Sequence, residues 1–222
     1  MDWPALALSL RLGAFTVLVL LPTGIVVARL LAYRQFRGKG YAEAFLALPL
    51  VLPPTVLGYY LLQAFGVASP LGQFWQAVFG HPLAFSFEGL LAASIIVNIP
   101  FAVQPMQRGF EAIPADIREA GACCGLSPWQ VFWKIDLPLA WPGIVTGLVL
   151  AFAHTLGEFG VVLMVGGSIP GETRTIAISI YDRVQAFDDQ AAGVMSALLL
   201  ALALFALGIT YALSRKVGRR HG

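Results

Sequence analysis

The chain is 222 residues long, and 58% of these residues are hydrophobic while only 12% are charged. Average soluble domains carry about 25% charged residues, so this chain lacks the polar surface that a water-soluble globule of its size needs. Its formal net charge of +2 is too small to indicate binding to nucleic acid. The apolar runs are long and unbroken rather than short and alternating, which favours helices over a β-barrel. The sequence therefore predicts an all-α integral membrane protein.

Five segments reach the roughly 20 apolar residues that a helix needs to cross the hydrocarbon core. They are Leu10–Leu31, Ala42–Phe65, Phe87–Gln107, Leu139–Val165 and Ala191–Leu213. The first run has Asp2 and no basic residue before it, so we interpret it as a retained span rather than a cleaved signal. No linker separates domains, and residues 1–222 are expected to form one transmembrane domain. The alternative that residues 160–181 re-enter the membrane or add a span stays open.

Lysine and arginine are distributed unevenly among the connecting segments. They are concentrated in the first loop, the third loop and the tail, at Arg34, Arg37, Lys39, Arg118, Lys134, Arg215, Lys216, Arg219 and Arg220. The second loop, residues 66–86, contains neither, and the fourth has only Arg174 and Arg183 among acidic residues. Cytoplasmic loops carry an excess of basic residues. The sequence therefore predicts a multi-pass protein of the cell inner membrane with its N-terminus outside and its C-terminus in the cytoplasm.

The third loop, residues 114–136, contains two predicted short helices. Pro114 suits a first helical turn, and Gly125 suits a helix end. Ser127 followed by Pro128 and Gln130 is typical of a capping box, so a second helix is expected to begin here and to stop before Pro138. Large apolar residues on two cytoplasmic helices indicate a docking surface for a partner, or else an amphipathic pair that lies on the bilayer.

The spacing of residues in this loop is more specific than its helical pattern. Glu119-Ala120-Gly121, three residues, Gly125, nine residues, Ile135, one residue and Leu137-Pro138 resembles the EAA loop of ABC-importer permeases. In that family the loop docks into a cleft on the ATP-hydrolysing subunit. The resemblance implies that coupling to the ATPase subunit involves Glu119, Ala120, Gly121, Gly125, Ile135, Leu137 and Pro138. Gly121 replaces the usual alanine, which is expected to loosen the helix by up to about 1 kcal/mol.

Proline and polar residues interrupt the predicted spans. Span two contains Pro49, Pro53 and Pro54, whose missing N–H groups must kink or break the helix. Freed carbonyls are tolerated only against protein or a water-filled cavity, so this break indicates either the wall of a translocation pathway or a purely structural kink. The predicted pathway residues are Pro53, Pro54, Thr55, Asn98, Thr155 and Glu158. In span four Gly143, Gly147, Ala151 and Thr155 recur every four residues, a stripe that permits close helix packing.

Two further stretches sharpen the resemblance. Residues 48–60, with their three prolines, closely resemble the corresponding span of molybdate permeases. Residues 155–160 and 167–175 resemble the segment after the EAA loop in molybdate and sulfate-type permeases, and the short chain and the match through Ile180-Tyr181 favour molybdate. The resemblance implies a type I importer fold and alternating access in a permease homodimer. Its implied partners are an ABC ATP-binding subunit at the cytoplasmic loop and a periplasmic or extracellular molybdate-binding protein, with no cofactor. Tungstate and sulfate or thiosulfate remain alternative substrates.

A different function class is an intramembrane enzyme that uses His154 and Glu158. The alternative interpretations of this pair are an internally satisfied contact that holds the bundle together and a direct contact with the substrate. The sequence contains no HExxH, GxSxG or CxxC pattern and no phosphate loop, so neither a metal site nor an ATPase site is predicted. Cys123 and Cys124 are adjacent in the third loop, which favours two buried or half-buried thiols over a disulfide framework.

Overall fold

The computed structural model describes the backbone of residues 1–218 and the side chains of residues 1–208. Within that part the chain forms eleven α-helices. They are α1 (Trp3–Tyr33), α2 (Lys39–Val51), α3 (Pro54–Phe65), α4 (Pro70–Phe79), α5 (Phe87–Glu111), α6 (Ala115–Cys123), α7 (Pro128–Val131), α8 (Leu137–Gly157), α9 (Gly160–Gly166), α10 (Ile176–Gln185) and α11 (Asp189–Gly218). Of the basic tail, Arg219 and Arg220 and the side chains of Arg215 and Lys216 lie outside the described residues.

Four segments of the described chain are long and apolar enough to cross a membrane. These are α1, α5, the continuous helical segment Pro128–Gly157 and α11, and the pair α2 and α3 gives a fifth if it forms one broken span. The predicted all-α membrane fold with about five spans is therefore confirmed. Helices α9 and α10 have 7 and 10 residues and are each too short to cross the core on their own.

The centre of the bundle is α5, which packs against both α1 and α8. Its buried Met106 and Phe110 join Leu20 of α1 and Ile144 of α8 in one apolar cluster. The predicted small-residue stripe forms the contact between α5 and α8. A Cβ atom added to Gly143 would lie 2.5 Å from the carbonyl oxygen of Pro105, and one added to Gly147 would lie 2.5 Å from that of Ala102. Only glycine allows the two backbones to approach this closely.

Span two is broken, as the prolines predict, and it is not one continuous helix over Ala42–Phe65. Helix α2 ends at Val51, α3 begins at Pro54, and the two axes are bent by 108°. Pro53 occupies the N-cap position and Pro54 the first turn of α3, where a missing N–H leaves no hydrogen bond unmade. The proline pair therefore ends one helix and starts the next.

Span four is also broken, so the prediction of one helix over Leu139–Val165 is wrong. Helix α8 ends at Gly157, and Glu158 has an extended backbone with φ −68° and ψ 125°. The Glu158 carboxylate accepts a hydrogen bond of 2.9 Å from the backbone N–H of Val161 in the first turn of α9. This bond satisfies one of the free N–H groups at the start of α9. Glu158 therefore does not continue the helix of His154, because it caps the next one.

The second helix of the third loop does not stop before Pro138, contrary to the prediction. Helix α7 continues through a π-helical turn at Phe132–Asp136 into α8. In the π-helical turn the N–H of Leu137 donates to the carbonyl of Phe132, five residues earlier. An α-helical turn would direct the Pro138 ring against the carbonyl four residues before it, and the wider turn relieves that clash. The third loop is thus rigidly continuous with a span.

The contact between α5 and α8 generates a prediction for Gly147. Gly147→Leu should lower the melting temperature of the protein in detergent, because the added side chain would force apart backbones that lie in contact. Overpacking of this kind typically costs about 1–3 kcal/mol.

The matched control is Gly193→Leu in α11, where an added Cβ meets no atom within 4 Å. Equal melting temperatures for the two variants would contradict the close packing of α5 and α8.

Candidate coupling surface and translocation path

Helix α6 has the local structure that its sequence predicts, except that Pro114 was expected in its first turn. Pro114 precedes the helix at the N-cap position, one residue before the first helical turn. Gly125 follows the helix end with φ +79°, a left-handed conformation that glycine adopts without strain. The capping box is present, since the Ser127 hydroxyl accepts from the N–H of Gln130 at 3.3 Å and Gln130 accepts from the N–H of Ser127 at 2.9 Å. These signals therefore delimit the two halves of the loop.

One face of α6 is exposed and the other packs against the π-helical turn. Asp116, Glu119, Ala120 and Cys123 are exposed and share a face, because they are spaced three or four residues apart. Both Cys123 and Cys124 are free and exposed, so the prediction of buried or half-buried thiols is wrong. The reason is that the inward face of α6 is already filled by other side chains of the loop. The exposed face is thus the part of α6 that a partner can reach.

Gly121, in contrast, lies on the inward face and is buried. A Cβ atom added to it would lie 2.6 Å from Cδ1 of Ile135, which is half-buried in the π-helical turn. Glycine at this position allows close packing of α6 on the turn, which offsets its low helix propensity. Leu137 is half-buried and Pro138 is exposed. The EAA-like residues therefore form two sets. The exposed set is Glu119, Ala120, Gly125 and Pro138. The buried or half-buried set is Gly121, Ile135 and Leu137, in which Gly121 and Ile135 pack α6 on the π-helical turn.

The structure also shows a charged cluster that the sequence reasoning missed. Asp136, with no exposed side-chain surface, accepts hydrogen bonds at Oδ2 from Arg29 Nε at 2.9 Å and Nη2 at 2.8 Å. Its Oδ1 accepts from Arg118 Nε at 2.9 Å. The Arg118 guanidinium also lies over the Tyr33 ring, 3.6 Å from the centroid. A lone carboxylate between apolar Ile135 and Leu137 was the only sequence signal for this site.

A chain of buried polar side chains crosses the middle of the bundle. Thr16 of α1 donates to Ser94 of α5 at 2.9 Å, and Ser94 lies 3.3 Å from the Thr155 hydroxyl of α8. The side-chain Nδ2 of Asn98 donates to the Thr155 hydroxyl at 3.0 Å. The side-chain Oδ1 of Asn98 lies 3.2 Å from His154 Nδ1. Asn98 has no exposed surface and Thr155 only 2%. Within the described chain these two predicted pathway residues therefore link helices and do not face an open cavity.

His154 and Glu158 end this chain of polar contacts. His154 Nε2 lies 3.7 Å from Glu158 Oε2, while the His154 ring stacks on Phe101 with centroids 4.0 Å apart. Glu158 in turn caps α9 through Val161, as described above. His154 Nδ1 and Glu158 Oε1 therefore have hydrogen-bond partners in the bundle, while the 3.7 Å between His154 Nε2 and Glu158 Oε2 is too long for a hydrogen bond.

The breaks in spans two and four lie against each other. A Cβ atom added to Gly160, at the start of α9, would lie 2.7 Å from the Pro54 ring at the start of α3. A Cβ atom added to Gly58, one turn further along α3, would lie 2.8 Å from Cβ of Met164 and 3.1 Å from Cα of Val161, both in α9. Pro53, Pro54 and Thr55 remain exposed on the surface of the chain. Four of the predicted pathway residues, Pro53, Pro54, Thr55 and Glu158, therefore lie at or next to the paired breaks.

An open groove of about 570 Å³ runs along α5 beside α2 and α8. Phe101, Gln104 and Arg108 lie on one face of α5 and line it, together with Leu50 of α2 and Thr146 of α8. The groove thus runs from the stacked Phe101–His154 pair to Arg108, which is exposed near the C-terminal end of α5. The sequence analysis did not predict this groove.

Comparison with known proteins identifies the family. The profile of the family described as "Binding-protein-dependent transport system inner membrane component" matches residues 21–219. The molybdenum transport system permease protein ModB of Azotobacter vinelandii is 47% identical over 187 residues, which cover 84% of this chain and 83% of the relative. ModB of Escherichia coli (strain K12) is 38% identical over 222 residues, covering 100% of this chain and 97% of the relative.

Solved structures agree at the level of the fold. The crystal structure of a bacterial ABC transporter involved in the import of the acidic polysaccharide alginate superposes with a TM-score of 0.71 at 16% identity. The match covers 97% of this chain and 78% of that one. The family profile, the nearly full-length relatives and the shared fold lead to one conclusion: the chain belongs to the inner-membrane permease components of binding-protein-dependent ABC importers, and within them it is a relative of the molybdenum permeases.

Proposed function

We propose that this chain is the permease subunit of an ATP-driven importer for molybdate or tungstate, and that it works as a homodimer. The observation that supports this substrate is the similarity of almost the whole chain to molybdenum permeases. The proposal includes an N-terminus outside the cell, an ABC ATP-binding subunit on the cytoplasmic side and an external binding protein that delivers the anion. Sulfate or thiosulfate is the second candidate substrate.

Energy must come from a partner because the chain has no phosphate loop. An anion that moves inward opposes the membrane potential by about 2.3 kcal/mol per charge per 100 mV. For a dianion such as molybdate this work is doubled, so uptake against the potential needs an external source of free energy. ATP hydrolysis on the partner subunit meets this need.

The exposed face of α6 is the proposed contact with that ATPase subunit. Glu119 and Ala120 lie on this face, and Gly125 closes the helix without filling the space beside it. The segment Pro128–Gly157 then runs without interruption from the coupling loop into the bundle. A displacement of the loop is therefore passed directly to α8, because no flexible linker lies between them.

The paired breaks and the groove along α5 are the proposed translocation path. At the breaks, Pro53 and Pro54 leave carbonyl groups without intrahelical donors, and such groups need a cavity or neighbouring protein. The breaks and the groove are lined mostly by uncharged side chains, and Arg108 lies at one end of the groove. A weakly interacting lining of this kind suits passage rather than retention.

Transport in reconstituted vesicles tests the proposal. The chain would be co-purified with its ATP-binding subunit, placed in vesicles, and supplied with binding protein, ATP and labelled molybdate. We expect uptake that requires both partners and ATP and that excess tungstate inhibits. ATP-dependent uptake of sulfate but not of molybdate would support the second candidate, and ATP hydrolysis with uptake of neither anion would overturn both.

Orientation and the coupling surface can be tested together by cysteine labelling in intact cells. A membrane-impermeant maleimide should label Glu172→Cys, in a background with Cys123→Ser and Cys124→Ser, from outside. Cys123, in a Cys124→Ser protein, should react only after permeabilisation and should be protected when the ATP-binding subunit is bound, because it lies on the exposed face of α6.

The control is Glu172→Cys in permeabilised membranes, which the ATP-binding subunit should leave reactive. Labelling of Cys123 from outside would reverse the orientation. Unprotected Cys123 in the assembled complex would remove the exposed face of α6 from the interface.

Thr55 provides the test of the pathway. Thr55→Trp should abolish most molybdate uptake while the complex still assembles and binds ATP, because a bulky ring at the paired breaks would obstruct the path. Val194→Trp is the matched control, since Val194 is similar in size to threonine and is exposed on α11. Normal uptake by Thr55→Trp would contradict a path at the breaks.

A further inference from the structure

The buried carboxylate of Asp136 joins segments that are distant in sequence. Asp136 is the last residue of the π-helical turn and directly precedes α8. Arg29, its first partner, lies one turn before the end of α1, and Arg118, its second, lies in the coupling helix α6. The Asp136 side chain therefore joins α6 and the end of α1 to the start of α8.

The geometry of the cluster makes this contact firm. Asp136 has no exposed side-chain surface and accepts three hydrogen bonds, all from charged donors and none longer than 2.9 Å. Hydrogen bonds between ionised groups are shorter and stronger than neutral ones. A buried carboxylate that loses a partner becomes strongly unfavourable. Separation of the three segments at this point would therefore break three charge-assisted hydrogen bonds and leave a buried carboxylate without its partners.

Aromatic contacts extend the cluster to α5. The Arg118 guanidinium covers the Tyr33 ring of α1, and the Tyr33 hydroxyl donates to the carbonyl of Phe110, near the end of α5, at 3.0 Å. Arg29 also lies 5.1 Å from the Phe132 ring centroid in the π-helical turn. The inward face of α6 is thus attached to α1, α5 and α8, while its outward face stays free.

We propose that Asp136 is a positioning residue for energy coupling. It attaches α6 to the end of α1 and to the start of α8. A displacement of α6 by the ATPase subunit therefore moves these two spans together with it. This inference rests on the proposed function in so far as α6 is the docking helix. Without the carboxylate, α6 still moves with the ATPase subunit, but α1 and α8 move less than α6 does.

The test measures the distance between α6 and α1 directly. Spin labels at Arg34→Cys and Ala122→Cys, both exposed and the second outside the proposed contact face of α6, are introduced with Cys123→Ser and Cys124→Ser into the complex with the ATP-binding subunit. In the otherwise native protein the label distance should be the same without nucleotide and after trapping with ATP and vanadate. With Asp136→Asn we expect the distance to change between the two states and the molybdate transported per ATP to fall about tenfold, a common size for coupling between sites.

Arg118→Gln is the second variant, because it frees α6 but keeps the Arg29–Asp136 pair and so spares the fold. Asp188→Asn is the matched control, since it weakens an exposed ion pair with Arg183 at the other end of the bundle.

The proposal is overturned if Asp136→Asn and Arg118→Gln keep a constant label distance and native transport per ATP. A parallel loss of transport and ATP hydrolysis with a constant label distance would also overturn it, because that result indicates stability alone. The distance measurement does not depend on which anion is carried, so a wrong substrate assignment would appear separately in the uptake assay.

Discussion

The close contact between α5 and α8 sets the geometry of the whole bundle. Gly143 and Gly147 bring the two backbones together, and α1 packs against both helices. Without water in the membrane core, helices associate mainly by such packing and by hydrogen bonds between them. Because α8 continues into the π-helical turn at one end and breaks at Glu158 at the other, its position decides where both the third loop and the paired breaks lie.

Polar groups within this apolar bundle are arranged in two separate clusters. At the third loop, Asp136 forms ion pairs with two arginines. In the middle, Asn98 and His154 belong to a chain of hydrogen-bonding side chains that joins α1, α5 and α8 and ends 3.7 Å from the Glu158 carboxylate that caps α9. Burial of a polar group is costly unless it finds a partner, so each cluster fixes the relative positions of the helices that supply its members.

The sequence by itself determined the features that depend on local chemistry. Apolar length predicted the spans, Pro53 and Pro54 predicted the break in span two, and Gly125 and the capping box predicted the two halves of the third loop. The spaced motif around Glu119 also placed the chain in its family, as the comparisons bear out. Each of these signals acts within a few residues of chain, through a missing N–H, a positive φ or a capping side chain, and so it can be read without knowing the fold.

Only the tertiary structure decided which of these residues meet. Arg29 and Asp136 are 107 positions apart, and no periodicity connects them. The break at Glu158 was missed because no proline marks it, and its carboxylate is used to cap α9, which turns back to pack on α3. Gly121 appeared unfavourable from helix propensity alone, yet its close packing against Ile135 explains it. In each case the deciding energy comes from a contact across the bundle, which local sequence signals do not encode.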